Sequence, residues 1–178
     1  MKINIEDIVA FHQRPKGLVI DCGGYLGKYT EAILSRFPDC RVILFEPIPE
    51  YAEVCRDKFR GKNVEVIQKA VGKDGRIKIA KQGEGSTQFQ DWGVMAEVES
   101  VSLVPFIKDV DILKLNCEGG EYEVLKDLDE HNLLKDIKEI LVQFHKVGED
   151  IDFYRKLLSK THRQGYCFKW DLWIKNNV

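Results

Sequence analysis

The chain has 178 residues, 44% hydrophobic and 31% charged, with a formal net charge of −2. This is the make-up of one folded domain with a substantial core, and the scattered charge gives no basic stripe for nucleic acid. No apolar run approaches the ~18 residues of a membrane span, Met1 to Asp7 lack the features of a secretory signal, and five cysteines without C-x-x-C pairing fit reduced thiols in the cytoplasm rather than a disulfide framework or zinc site.

The first predicted strand is Leu18 to Asp21, and it runs into Asp21-Cys22-Gly23-Gly24-Tyr25-Leu26-Gly27. The helix predicted next, Lys28 to Phe37, places Ala32, Ile33 and Phe37 at helical spacing. A strand, a glycine turn and a helix in that order let the backbone approach a nucleotide. A dinucleotide fingerprint starting at Gly23 would need glycine at 25 and 28, where the chain has Tyr25 and Lys28. The D-x-G-x-x-x-G spacing suits a nucleoside ligand without phosphates, such as S-adenosylmethionine, at the helix N-terminus. The competing reading is a tight strand–helix connection without ligand.

Arg41 to Glu46 reads as a second strand, closed by Pro47 and followed by a helix over Glu50 to Phe59. Glu46 stands about 20 residues past the glycine turn, where α/β nucleotide folds place an acid for ribose hydroxyls. Val64 to Val71 is predicted as a third strand, and Lys69-Ala70-Val71-Gly72 at its end is placed to flank the adenine. Residues 75–107 break the rhythm. Ile77-Lys78-Ile79 and Val98 to Val101 read as short strands around the small polar segment Gly83 to Phe89, a surface hairpin or a substrate-facing insertion.

Asp111 to Leu115 is predicted as the fourth strand and Glu121 to Leu128 as its helix. Between them, Asn116 and Glu118 alternate along extended chain and can orient an acceptor, while Glu121 suits the helix dipole alone. Glu139 to Phe144 is the fifth strand, ending at His145, a candidate general base. Asp152 to Ser159 reads as helical and Cys167 to Ile174 as a last strand region. His12, His131 and His162 read as surface residues, and Trp92, Trp170 and Trp173 as packing residues. Near-continuous apolar strands alternating with helices predict a doubly wound α/β fold, with a mostly parallel sheet and helices on both faces.

Three segments together resemble the FkbM-like family of S-adenosylmethionine-dependent methyltransferases. Asp21 to Thr30 is similar to its D-x-G-A-N-x-G-x-Y-T segment, Phe45 to Glu50 to F-E-P-x-P-E, and Asp111 to Glu121 to D-x-x-K-x-D-x-E-G-x-E. Val98 to Leu103 and Ile140 to His145 also fit, so the resemblance spans roughly residues 17–147. It implies a class I methyltransferase fold over 1–178 and O-methylation of a hydroxyl on a sugar or other small metabolite, without nucleic acid or membrane partners. It implies cofactor contacts by Asp21, Gly23, Gly24, Gly27, Tyr29, Thr30, Glu46 and Pro47, joined by Ala70 and Asn116 at later strand ends. Catalytic roles fall to His145, Glu118 and Asn116. Gly24-Tyr25 replaces the family's Ala-Asn, Asn116 stands for Asp and Gln143 for Glu. The two lost carboxylates predict a site without metal, and also favour the alternative of a non-catalytic S-adenosylmethionine-binding or interaction module. A nicotinamide-dependent oxidoreductase is the third reading, disfavoured by the glycine spacing.

Overall fold

The computed structural model describes residues 5–81, 94–167 and 169–176. The polar segment Gly83 to Phe89 and Trp92 lie outside the described residues. The order begins with α1 (Ile5–Val9), β1 (Leu18–Cys22), α2 (Lys28–Arg36), β2 (Arg41–Phe45), α3 (Pro49–Lys58), β3 (Val64–Ile67) and β4 (Ala70–Val71). It continues with β5 (Gly75–Lys81), β6 (Val94–Val101), β7 (Val110–Leu115), α4 (Glu121–Glu130), β8 (Ile137–Val142), α5 (Ile151–Ser159), β9 (His162–Cys167) and β10 (Asp171–Lys175).

Seven strands form one sheet in the order β3-β2-β1-β7-β8-β10-β9. The first five are parallel, and β10 runs antiparallel to both its neighbours. The chain winds outward from β1 to β3, then returns to β7 on the other side of β1. That reversal creates a crevice at the carboxyl ends of β1 and β7. Both strands are buried along their whole length, as expected where helices cover both faces.

Alternation along β1 divides the core. Val19 joins Tyr29, Ile33, Val42 and Ile112 on one face, and Ile20 joins Phe45, Leu113, Leu125 and Ile140 on the other. Each fully buried aliphatic side chain contributes ~1.5–3 kcal/mol. Pro49 opens α3 at a position that needs no N–H donor, and the Asp150 side chain caps α5 through the amides of Asp152 and Phe153.

Four expectations change. The third strand divides: β3 pairs with β2, whereas β4 leaves for a second sheet of order β4-β6-β5. The last strand region is the antiparallel pair β9–β10. β8 ends at Val142, so His145 lies beyond it. His12 and His162 are buried, not surface residues: His12 binds Glu139 and Tyr29, and His162 meets the Ile137 carbonyl. Trp170 and Trp173 are buried, as expected.

Candidate functional site

The glycine turn after β1 is shaped by close approach. The amides of Gly23 and Gly24 both donate to the Phe45 carbonyl at 3.0 Å. Gly23 has φ 79°, and a Cβ there would lie 1.9 Å from the Asn116 carbonyl oxygen. No other residue fits between these strand ends. A Cβ at Gly24 would lie 2.3 Å from Leu44 Cδ2, which explains why glycine replaces the family's alanine here.

Glu46 organises the next layer. Its Oε2 accepts the Tyr25 amide at 2.7 Å and its Oε1 the Ile48 amide at 2.8 Å. The residue is 4% exposed. Burial raises its pKa, and the two backbone hydrogen bonds pull it partly back. Tyr25 adopts φ 49°, an uncommon conformation for a bulky residue, held by that amide contact.

Beneath the turn, Lys114 Nζ donates to Asp21 Oδ1 at 2.8 Å, to the Cys22 carbonyl at 3.1 Å and to the Gly23 carbonyl at 2.8 Å. Its three ammonium protons are therefore all engaged. Asp21 also accepts from Thr30 Oγ1 at 2.7 Å, and Lys114 and Asp21 are both buried. A buried pair this well hydrogen-bonded offsets its own desolvation.

After β7 the chain reverses through Glu118 at φ 50° and Gly119 at φ 111°. Asn116 Oδ1 is buried there without a hydrogen-bond partner. Glu121, fully buried at the start of α4, accepts from the Gly119 amide at 2.9 Å, the His145 amide at 2.8 Å and His145 Nδ1 at 2.9 Å. His145 Nε2 lies 3.3 Å from Glu118 Oε2. Burial disfavours charge on this ring, but hydrogen bonds to Glu118 and Glu121 outweigh it and raise the histidine to about 10. His145 is thus an imidazolium at neutral pH, a donor at both nitrogens. The ring expected as a neutral base has a carboxylate at each nitrogen, and both favour its protonated form.

These groups surround a cleft of about 800 Å³ at the carboxyl ends of the strands. Its lining includes the apolar Pro47, Tyr51, Ala70, Val71, Ile77 and Ile79 and the polar Lys28, Asn116, Glu118, Gln143, His145 and Lys169. A depression of about 900 Å³ opens at the opposite ends of β1 and β2, near Arg14, Asp39 and Arg41. Ligands of doubly wound sheets bind at carboxyl ends, and the strained backbone and orphaned Asn116 acceptor lie there, so the first cleft is the candidate site. Among the described residues, no three His, Cys, Asp or Glu are arranged to hold a metal.

Gly23, Gly24, Tyr29, Glu46, Pro47, Ala70, Asn116, Glu118 and His145 line this cleft. Asp21, Gly27 and Thr30 do not line it. Asp21 accepts from both Thr30 and Lys114, and Gly27 packs against Phe59, whose ring a Cβ would meet at 2.7 Å. In the ligand-free fold these three hold the turn behind the cleft lining. The Tyr29 hydroxyl is engaged by His12 at 3.0 Å, which leaves its ring as the cleft surface. Lys114 and the histidine-holding part of Glu121 were missed by sequence reasoning. The signal for both lay in the Asp111 to Glu121 segment, where each occupies a position specified by the family pattern.

Residues 21–168 match the family model of the methyltransferase FkbM domain. The chain belongs to the FkbM methyltransferase family. It is an S-adenosylmethionine-dependent methyltransferase. Solved structures share its class I fold. A candidate rRNA methylase from Clostridium thermocellum is 11% identical with a TM-score of 0.58, covering 98% of each chain. An O-methyltransferase family protein from Burkholderia thailandensis is 12% identical with a TM-score of 0.55, over 97% of this FkbM chain and 55% of that protein. A Streptococcus pneumoniae structure in complex with S-adenosyl-L-methionine is 12% identical with a TM-score of 0.54, covering 98% and 72%. No curated protein sequence matches this FkbM chain. Among the described residues, no helix is long and apolar enough to cross a membrane.

Proposed function

We propose that this cleft binds S-adenosylmethionine between Glu46 and Asn116 and that the enzyme methylates a hydroxyl of a small molecule, with sugars among the acceptors. The observation that carries this reading is that Glu46 and Asn116 both line the cleft at the strand ends, with Asn116 Oδ1 left without a hydrogen-bond partner. A buried acceptor without a donor costs ~1–3 kcal/mol, and the ammonium group of the methyl donor supplies the missing partner. Glu46 fits the ribose end: each of its oxygens has given one lone pair to a backbone amide and keeps another for a ribose hydroxyl. The apolar part of the lining fits a purine base.

When bound, S-adenosylmethionine supplies an electrophilic methyl group on a sulfonium. The protein's task is then to orient the acceptor and receive its proton. Glu118 is the carboxylate we assign to that proton, because the doubly held imidazolium of His145 fixes it at the cleft and cannot itself accept. Asn116 and Gln143 supply neutral polar groups to the same cleft. We read the reaction as metal-independent, since a neutral amide at Asn116 is a poor ligand for a hard cation. Five free thiols support a reducing, cytoplasmic setting. Calorimetry tests donor binding, with the demethylated product binding on the order of micromolar and NADH not binding. Turnover on sugar hydroxyls and on structured RNA then tests the acceptor; methylation of RNA alone would overturn the small-molecule reading.

A further inference from the structure

The groups that line the cleft follow the strand order of the sheet. Glu46 comes directly after β2, Gly23 and Gly24 after β1, Asn116 after β7 and Gln143 after β8. β10 is next in that order, and its first residue, Asp171, pairs with Val142 at the end of β8. The β9–β10 turn therefore sits beside the carboxyl end of β8, and it brings Lys169 and Trp170 to the cleft. At a strand spacing of about 4.8 Å, β10 stands about 10 Å across the sheet from β7. Trp170 packs in one buried cluster with Ile8 of α1 and Tyr29 of α2, and Ile5 packs against that cluster. All four line the cleft. Ile5, Ile8, Lys169 and Trp170 lie outside residues 21–168, which match the family model. This end of the cleft is thus built largely by residues outside the shared family domain.

Charge singles out Lys169 within this lining. Lys114 is engaged by Asp21 and two backbone carbonyls, Lys69 pairs with Glu99 at 3.0 Å, and His145 lies between Glu118 and Glu121. Lys169 is exposed and, among the described residues, has no ion pair or hydrogen bond. We infer that the methyl acceptor is itself an anion, a small hydroxylated molecule bearing a carboxylate or phosphate, and that Lys169 binds that charge. This rests on the small-molecule reading above and deepens it. The donor also carries a carboxylate, but its ribose and amino group are assigned to Glu46 and Asn116, on strands across β8 from Lys169. An acceptor held by Lys169 lies over the end of β8, beside His145 and the Glu118 carboxylate it fixes. The C–H face of a sugar ring fits against Trp170 and Ile8 there. An ammonium is a compact point charge that imposes no bidentate geometry, so carboxylate and phosphate both suit it. A single lysine in a chain of net charge −2 suits one small anion, not a run of backbone phosphates.

The experiment is methyl transfer from S-adenosylmethionine by the full chain to glucuronate, galacturonate, glucose 6-phosphate and galactose 6-phosphate, beside neutral glucose and galactose, with calorimetry of S-adenosylhomocysteine. The wild-type protein is expected to act on at least one charged sugar with kcat/KM about tenfold or more above that of its neutral parent. Preference for the uronates or for the phosphates identifies the anion. Lys169→Ala is expected to raise KM for the charged acceptor about tenfold, with kcat and S-adenosylhomocysteine affinity little changed. Lys169→Arg should restore most of the KM, because it returns the charge, an effect that a merely structural role would not show. Equal or better transfer to the neutral sugars, no transfer to any charged one, or an unchanged KM in Lys169→Ala overturns this inference alone. Weakened S-adenosylhomocysteine binding in Lys169→Ala also overturns it, by giving the lysine to the donor's carboxylate. Methylation of structured RNA alone overturns it together with the small-molecule reading. Failure of the wild-type protein to bind S-adenosylhomocysteine overturns it together with the donor-binding reading.

Discussion

Glu46→Gln separates two roles that one carboxylate performs. In the ligand-free fold both oxygens accept backbone amides, from Tyr25 at 2.7 Å and Ile48 at 2.8 Å. Glutamine retains one oxygen and turns an NH₂ group toward the other amide. At 4% exposure water does not replace the lost acceptor, so one buried N–H is left unpaired at a cost of about 1–3 kcal/mol. For a protein of this size that lowers Tm by roughly 3–9 °C. The cost falls inside the sheet, since β2 is an interior strand between β1 and β3. Ligand binding loses a second, separate contribution. A hydrogen bond to a charged group gives about 1.5–3 kcal/mol, which weakens S-adenosylhomocysteine roughly 10- to 150-fold. Thermal unfolding without ligand and calorimetry with it read the two effects independently. An unchanged Tm would refute the backbone role; an unchanged Kd in the folded variant would refute the ribose role.

His145, with an ordinary value of 6.5 and held near 10 in the fold, gives stability that is full below pH 6.5 and is lost as pH rises toward about 10; denaturant unfolding from pH 6 to 10 should show this decline, and a flat profile would contradict it. Methyl transfer should accordingly show no fall as pH drops from 7.5 to 6, whereas a neutral histidine base would lose most of its rate there. Glu118→Gln should slow single-turnover transfer about 10²- to 10⁴-fold with little change in donor affinity, and a wild-type rate in the folded variant would remove Glu118 as proton acceptor. Lys114→Met leaves Asp21 buried and uncompensated, with an expected cost of about 3–5 kcal/mol in urea unfolding; Asp21→Asn in the same chain should recover part of it. A chelator should leave turnover unchanged, and magnesium-dependent rescue after chelation would contradict the metal-independent reading.

The strands were legible because β1, β2, β7 and β8 are short apolar runs bounded by turn residues, and a sheet covered on both faces leaves that pattern in any sequence. Val64 to Val71 misled for the same reason: the apolar pattern continues although Ala70 and Val71 pair with β6, not β2. The five residues of α1 are too few for a periodic signal. At the site, Gly23 and Glu46 stood out through spacing alone. The state of His145 did not, because its charge depends on Glu118 and Glu121 being brought to opposite ring nitrogens from more than 20 residues away. Nor did the burial of His12, whose partner Glu139 is 127 residues distant. Asp21 was recognised from its motif, but its bond to Lys114 was not, because that partner lies 93 residues away.

A crystal structure of the protein with S-adenosylhomocysteine tests the central claim most directly. The ligand is expected in the cleft at the carboxyl ends of β1 and β7, with ribose hydroxyls on Glu46, the amino group on Asn116 Oδ1 and the base against the apolar lining that includes Pro47 and Ala70. Ligand density elsewhere, such as in the depression beside Arg14 and Arg41, or a ligand in the cleft that leaves Asn116 Oδ1 without a donor, would contradict it.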